Sequence, residues 1–237
     1  MKAVILAGGL GTRLKPFTEV IPKSLLPIGE SSVLEIQILT LVRHGVDQVY
    51  VATNYRSEYV QAFLGDGAKY GVSVAFSREE EPLGTCGPVG LLRDKLHEPF
   101  LLMNGDILTT LDFSKAYAYA MRLDADLVVV TTELVTPFHF GKVISDGTYI
   151  TEMQEKPDIT LEILSGIYIL KPPVFDLIPP NTYYGIDNLI KDMLARKMKV
   201  GKYLMKEYWL DIGRIADYQV AQDAYREHFT DLSTNTP

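Results

Sequence analysis

Three glycines, Gly8, Gly9 and Gly11, and two cations, Arg13 and Lys15, follow directly on the short apolar run Ala3-Val4-Ile5-Leu6-Ala7. A continuous, partly β-branched run of that length has the signature of a fully buried strand, and the glycines stop it abruptly. Glycine leaves backbone N–H groups unshielded by side chains, so an anionic oxygen can approach them closely. A glycine loop leaving a strand end beside cations suits a phosphate.

The elements that must position this loop are legible in outline. Leu34, Ile38, Leu41 and Val42 repeat with helical spacing, Ser32 and Glu35 form a capping-box pattern, and Gly45 ends the segment. Strands are predicted at 48–52, 72–76, 100–103, 127–130 and 164–170, and helices at 56–64, 187–196 and 215–228. Strands alternating with helices predict an α/β fold: a Rossmann-like, mixed but mainly parallel sheet with helices on both faces, whose ligands bind at the carboxyl ends of strands. From Gly141 the pattern changes, with 141–144 and 149–151 flanking the turn Ser145-Asp146-Gly147-Thr148 as an antiparallel hairpin. Without internal repeat or long linker, residues 1–237 are expected to form a single domain, with the polar tail 230–237 frayed.

Composition excludes several functions. With 237 residues of which 47% are hydrophobic, the chain can bury one large core. A net charge of -7 argues against a general nucleic-acid surface, which needs clustered excess Lys and Arg. Cys86 is the only cysteine, so neither an intrachain disulfide nor a cysteine zinc cluster can form, which suits a reducing cytoplasm. No signal peptide or membrane-length apolar run is legible. His44, His97, His139 and His228 are expected to be structural or solvated.

The glycine loop fails two familiar templates. Gly9-Leu10-Gly11-Thr12-Arg13-Leu14 lacks the third glycine of a dinucleotide fingerprint, the second strand ends at Ala52-Thr53-Asn54 without a ribose-binding acid, and no Gly-Lys-Ser/Thr follows as in a P-loop. Pro16, Pro22 and Pro27 prevent a long helix directly behind it.

What the loop does resemble, with six further stretches in the same order, is the sugar-1-phosphate nucleotidylyltransferase family. The stretches are Leu6-Ala7-Gly8-Gly9-Leu10-Gly11-Thr12-Arg13-Leu14, Pro22-Lys23-Ser24-Leu25-Leu26-Pro27, Glu81-Pro82-Leu83-Gly84-Thr85, Asn104-Gly105-Asp106, Glu155-Lys156-Pro157, Ser165-Gly166-Ile167-Tyr168 and Trp209-Leu210-Asp211-Ile212-Gly213. The resemblance implies an enzyme that joins a nucleoside triphosphate to a sugar 1-phosphate and releases pyrophosphate. It implies a nucleotide site at Leu6, Ala7, Gly8, Gly9, Gly11, Thr12, Pro82, Gly84, Thr85, Asn104 and Gly105. Arg13 and Lys23 are the expected catalytic cations, and Asp106 and Asp211 the expected Mg²⁺ ligands. Gly141, Glu155, Lys156 and Ser165 would hold the sugar phosphate, Ser165 standing where many members have Asn.

The base loop Glu81-Pro82-Leu83-Gly84-Thr85-Cys86-Gly87-Pro88 lacks the glutamine with which uridylyl and several thymidylyl members read a pyrimidine. It is similar to the loop of mannose- and heptose-1-phosphate guanylyltransferases, which implies GTP and a manno-configured hexose or heptose 1-phosphate, the guanine being read by backbone groups around Leu83 to Thr85. The alternatives are a uridylyl- or thymidylyltransferase of the same family, a transferase of a non-sugar phosphate such as phosphocholine, or a non-catalytic nucleotide-sugar-binding regulator. The chain ends soon after its final predicted helix, so the C-terminal β-helix of many relatives is not expected. Nucleic acid and membrane are not expected partners; homo-oligomers remain open.

Overall fold

The computed structural model describes residues 1–235. The chain opens with β1 (Lys2–Leu6). The prolines then break the path into three 3₁₀ turns, Thr12–Leu14, Phe17–Glu19 and Lys23–Leu25, in place of a helix. A two-residue hairpin, β2 (Pro27–Ile28) with β3 (Ser31–Ser32), delivers the chain to α1 (Val33–Arg43). The capping box forms there: Glu35 N donates to Ser32 Oγ at 3.2 Å and Ser32 N to Glu35 Oε2 at 2.9 Å. Next come β4 (Gln48–Thr53), α2 (Ser57–Leu64), β5 (Ser73–Arg78), the single turn α3 (Gly87–Gly90), β6 (Phe100–Asn104), β7 (Ile107–Thr109) and α4 (Phe113–Arg122). The remainder is β8 (Leu127–Pro137), β9 (Lys142–Asp146), β10 (Tyr149–Gln154), β11 (Asp158–Leu170), α5 (Ile186–Ala195), β12 (Val200–Leu204), β13 (Trp209–Asp211), α6 (Ile215–His228) and a 3₁₀ segment, Thr230–Asn235.

Seven strands form the main sheet in the order β12-β8-β11-β6-β1-β4-β5. All run parallel except β11, which is antiparallel to both β6 and β8. Alternate residues face opposite layers: Ala3 and Ile5 of β1 join one core with α1, Val4 the other. A smaller core gathers Leu14, Leu26, Ile36 and Ile212 with Ala221 and Tyr225 of α6, anchoring the turns behind the glycine loop. From β1 the chain moves outward to β4 and β5, then returns to β6 on the other side of β1. That reversal leaves a crevice at the carboxyl ends of β1 and β6, where a doubly wound sheet binds ligands.

Three features differ from the sequence reading. Helix α4 and strands β7, β12 and β13 were not anticipated. β8 and β11 run well past their buried halves and pair from Leu127↔Leu170 to Pro137↔Asp158, carrying the expected hairpin, β9 with β10, on an exposed arm. At the start of the tail, Leu232 is 4% exposed within the third core, and Arg43 donates to the Asp231 carbonyl. Residues 236–237 lie outside the described residues. Finally, Ser165 occupies a bulge in the β8–β11 pairing, which turns its hydroxyl inward.

Among the described residues no helix is long and apolar enough to cross a membrane. Cys86 is a buried free thiol whose pKa burial pushes up to about 12.

Candidate active site

The glycine loop begins where β1 ends. Gly11 adopts a left-handed conformation (φ 62°) that caps the Thr12–Leu14 turn, and its carbonyl accepts from Thr18 Oγ1 at 2.8 Å. This fold-back projects Arg13 out of the turn while burying Leu14. Across the crevice, β6 ends at Asn104 and the chain turns sharply through Gly105, where a Cβ would stand 2.5 Å from the Leu6 carbonyl. Only glycine fits there, and the next residue, Asp106, is thereby presented at the carboxyl edge.

Four charged side chains converge at this edge. Lys23 Nζ pairs with Asp106 Oδ2, with side chains 14% and 25% exposed. Strand β13 returns from far along the sequence and pairs Asp211 with Ile107, the neighbour of Asp106, while Ile212 N donates to the Asp106 carbonyl at 2.9 Å. A Cβ at Gly213 would lie 3.6 Å from each of Arg13 Nη2, Asp211 Oδ1 and Asp217 Oδ2, so the guanidinium and Asp211 meet at that glycine. Burial, then the nearby Asp106 carboxylate, raise the Asp211 pKa; Lys23 and Arg13 oppose the shift. The two carboxylates thus repel one another, the electrostatic condition a bound cation relieves.

Beside these charges lies a cleft of about 340 Å³. Its lining includes nine of the expected ligand-binding residues: Leu6, Gly8, Gly9, Pro82, Gly84, Thr85, Asn104, Gly105 and Asp106. Leu10, Asn54, Glu79, Pro88 and Tyr183 complete it. Ala7, Gly11, Thr12, Arg13 and Lys23 are not part of this lining. Of the expected sugar-side residues, Gly141, Glu155 and Lys156 lie on the exposed arm, whereas Ser165 is buried in the sheet. A Cβ on Gly141 would lie 3.3 Å from Glu155 Oε2, and Lys156 holds a left-handed backbone (φ 44°) that non-glycine residues rarely adopt.

One expected contact needs revision, at Ser165, and the main-chain reading at Leu83 to Thr85 narrows to Gly84 and Thr85. Ser165 is wholly buried and its hydroxyl donates to the Val130 carbonyl at 2.8 Å, so that hydroxyl is committed to the main chain and does not reach toward a sugar. Its carbonyl accepts from Trp209 Nε1 at 2.8 Å, which ties the bulge to β13 and hence to Asp211. The main chain of Leu83 is also occupied: its N–H donates to Glu79 Oε2 at 2.7 Å and its carbonyl accepts from Tyr184 N at 2.9 Å. Thr85 Oγ1 accepts from Ile186 N at 2.8 Å, docking the base loop on the start of α5.

Three site residues escaped the sequence reading. Glu79, 7% exposed, lines the cleft from just beyond the end of β5, and burial raises its pKa while the Leu83 N–H opposes the rise. It hides in the run Arg78-Glu79-Glu80-Glu81, which reads as a solvated loop; its place at a parallel strand's carboxyl end was the available signal. Gln37, a polar residue in the apolar stripe of α1, donates to the carbonyls of Asn104 at 2.9 Å and Ile107 at 2.8 Å, on both sides of Gly105-Asp106. Tyr183 reaches the cleft from the loop before α5, and no sequence signal marked it.

The chain belongs to the nucleotidyl transferase family, whose profile matches residues 2–228. It is 35% identical over 227 residues to the mannose-1-phosphate guanyltransferase of Schizosaccharomyces pombe, across 92% of this chain and 62% of that protein. It is 33% identical over 244 residues to the probable mannose-1-phosphate guanylyltransferase 2 of Oryza sativa subsp. japonica, across 99% of this chain and 67% of that protein. The chain thus spans 62% and 67% of the length of these two relatives. Among solved structures it is similar to a putative glucose-1-phosphate thymidylyltransferase from Bacillus anthracis, with TM-score 0.80, 25% identity and 96% of each chain covered. It is also similar to HddC from Yersinia pseudotuberculosis complexed with GMP-PN, with TM-score 0.75 and 28% identity over 94% of this chain and 99% of that one.

Proposed function

We propose that this chain transfers the guanylyl group of GTP to a manno-configured hexose or heptose 1-phosphate, giving a nucleotide-sugar and pyrophosphate. The observation that carries the reading is the convergence of Arg13, Lys23, Asp106 and Asp211 at the lip of a glycine-lined cleft. The names of the guanylyltransferase relatives and the GMP-PN bound to a structural neighbour support guanine over the pyrimidines.

The reaction brings two polyanions together. A sugar-phosphate oxygen attacks the α-phosphorus, the bond to the bridging oxygen of the β-phosphate breaks on the opposite side, and pyrophosphate departs with that oxygen. Because the attacking oxygen is already ionised, the chain needs no general base; its tasks are positioning and charge neutralisation. The N–H groups of Gly8, Gly9 and Gly11 cradle the triphosphate, and Arg13 grips the leaving oxygens with its planar fork. Lys23, resting on Asp106 in the free protein, turns to the α-phosphate and the incoming phosphate.

Asp106 and Asp211 fit Mg²⁺. They are hard oxygen donors that repel one another in the free protein, and among the described residues no three His, Cys, Asp or Glu side chains are grouped so as to hold a metal by themselves. Mg²⁺ commonly takes only one or two carboxylates beside phosphate oxygens and water. When bound it neutralises charge on the reacting phosphates. On the arm, Gly141 and Glu155 offer backbone and carboxylate to sugar hydroxyls, and Lys156 offers a cation to the sugar's phosphate. Ser165 supports this side through the bulge. The substrates and the lone buried thiol suit the cytoplasm.

The test is pyrophosphate release with each of the five nucleoside triphosphates against several sugar 1-phosphates. GTP with a manno-configured phosphate is expected to lead. Superiority of UTP or dTTP would refute the guanylyl reading, and binding without pyrophosphate release would make the chain a sensor.

A further inference from the structure

A base-reading group had been expected on the main chain of Leu83 to Thr85, yet both polar groups of Leu83 are spent within the protein. The acceptor of the Leu83 N–H is Glu79, whose backbone is itself pinned: its N–H donates to the Thr53 carbonyl at 2.9 Å, and its carbonyl accepts from Asn54 Nδ2 at 3.3 Å. The two carboxylate oxygens are therefore unequal. Oε2 holds Leu83, whereas Oε1 has no hydrogen-bond partner among the described residues. Oε1 would lie 2.9 Å from a Cβ on Gly8, so it stands against the glycine loop on the wall of the cleft.

An ionised carboxylate accepts hydrogen bonds and donates none. Of the five common bases, guanine alone turns two adjacent donors, N1–H and the N2 amino group, outward on its Watson–Crick edge. Uracil and thymine present a single N–H between two carbonyl oxygens, and adenine and cytosine place a ring acceptor where a donor is needed. Each of these would set lone pairs against the carboxylate on the wall of the cleft, an arrangement that discriminates because polar groups are left unpaired. Resting on the guanylyl reading above, we propose that Glu79 is the specificity determinant for the base, its Oε1 accepting from N1–H and N2–H of guanine. Burial sharpens the choice, and Leu83 fixes the direction in which the carboxylate points.

The test compares GTP with inosine triphosphate, which lacks the N2 amino group, and xanthosine triphosphate, which carries a carbonyl in its place. The intact protein is expected to favour GTP over inosine triphosphate by about ten- to hundred-fold in kcat/KM, the worth of one hydrogen bond to a charged group. Glu79→Gln is isosteric, and the Leu83 N–H still requires an acceptor, so the amide oxygen stays with Leu83 and the NH₂ group turns to the cleft. GTP should then lose at least ten-fold through KM, xanthosine triphosphate should gain, and the KM for sugar phosphate should stay unchanged. Equal use of GTP and inosine triphosphate by the unaltered protein would overturn the role of Glu79 and leave the guanylyl reading standing. An unchanged GTP to xanthosine triphosphate ratio in Glu79→Gln would do the same. Use of UTP or dTTP in place of GTP would overturn both.

Discussion

Replacing Lys23 by Met keeps most of the apolar stem and removes only the charge, so it isolates what the ammonium contributes. In the free protein that charge is paired with Asp106, and both side chains are largely shielded, at 14% and 25% exposure. Two unit charges about 4 Å apart in an effective dielectric of about 20 attract by about 4 kcal/mol before desolvation is subtracted. Exposed pairs retain about 0–1 kcal/mol of this, and breaking a fully buried pair costs about 3–5. This intermediate pair should therefore cost about 1–3 kcal/mol of stability in metal-free protein. The loss should shrink when Mg²⁺ is added, because a cation then serves the same carboxylates. Turnover should suffer more, since in the reaction the ammonium faces charge building on the phosphates. Removing one such preorganised donor costs about 10²–10³ in kcat, or about 2.7–4 kcal/mol. Urea unfolding with and without Mg²⁺ and steady-state pyrophosphate release measure the two effects separately. A variant that is destabilised yet keeps kcat within about threefold of the parent would show that Lys23 is only a counter-ion for Asp106, and the mechanistic role given to it would fail.

Arg13→Ala should depress kcat more than it raises the KM for GTP, because contacts made only in the transition state appear in kcat; a pure KM effect would mean that the loop merely holds the triphosphate. Arg13→Lys should rescue poorly for want of the two-point grip. The raised Asp211 pKa favours folding below the ordinary carboxylate range and loses that contribution as pH rises through the raised value. Asp211→Asn should therefore gain Tm over metal-free parent as pH climbs from acid to neutral while abolishing turnover; a gain largest at acid pH would contradict the assigned repulsion. Gln37→Leu leaves the Asn104 and Ile107 carbonyls without their side-chain donor, at about 1–3 kcal/mol each where they stay unsatisfied. Because those carbonyls bracket Asp106, the Mg²⁺ concentration for half-maximal activity should also rise, and an unchanged value would restrict Gln37 to stability.

Local signals in the sequence carried much of the fold because they state what one segment does by itself. The continuous buried run of β1, the glycines that end it and the Ser32–Glu35 box all form as read. What could not be read depends on partners distant in the chain. Strand β12, five residues long and only partly buried, exists because β8 offers it a parallel edge. Helix α4, by contrast, was legible and passed over: its buried face, Phe113, Ala116 and Ala120, has helical spacing, and its Asp112 cap accepts from Lys115 N at 3.0 Å. At the site, residue types announced the cations and carboxylates, but only β13 pairing with β7 sets Asp211 beside Asp106. Ser165 misled because a hydroxyl at a bulge can face either way, and the Val130 carbonyl claims it here. Glu79 was hidden because three consecutive acids look solvated until Leu83 is seen to bind one of them.

The central claim is that an intact guanylyl group, α-phosphate included, passes from GTP to a sugar phosphate at the edge built by Arg13, Lys23, Asp106 and Asp211. Its most direct test is to incubate the protein with mannose 1-phosphate and GTP radiolabelled at the α-phosphate, and to separate the products. The label should appear in a nucleotide-sugar in amounts equal to the pyrophosphate released, and EDTA or Asp106→Asn should abolish it. Label recovered as GMP, or left in GTP while the nucleotide binds normally, would contradict the account.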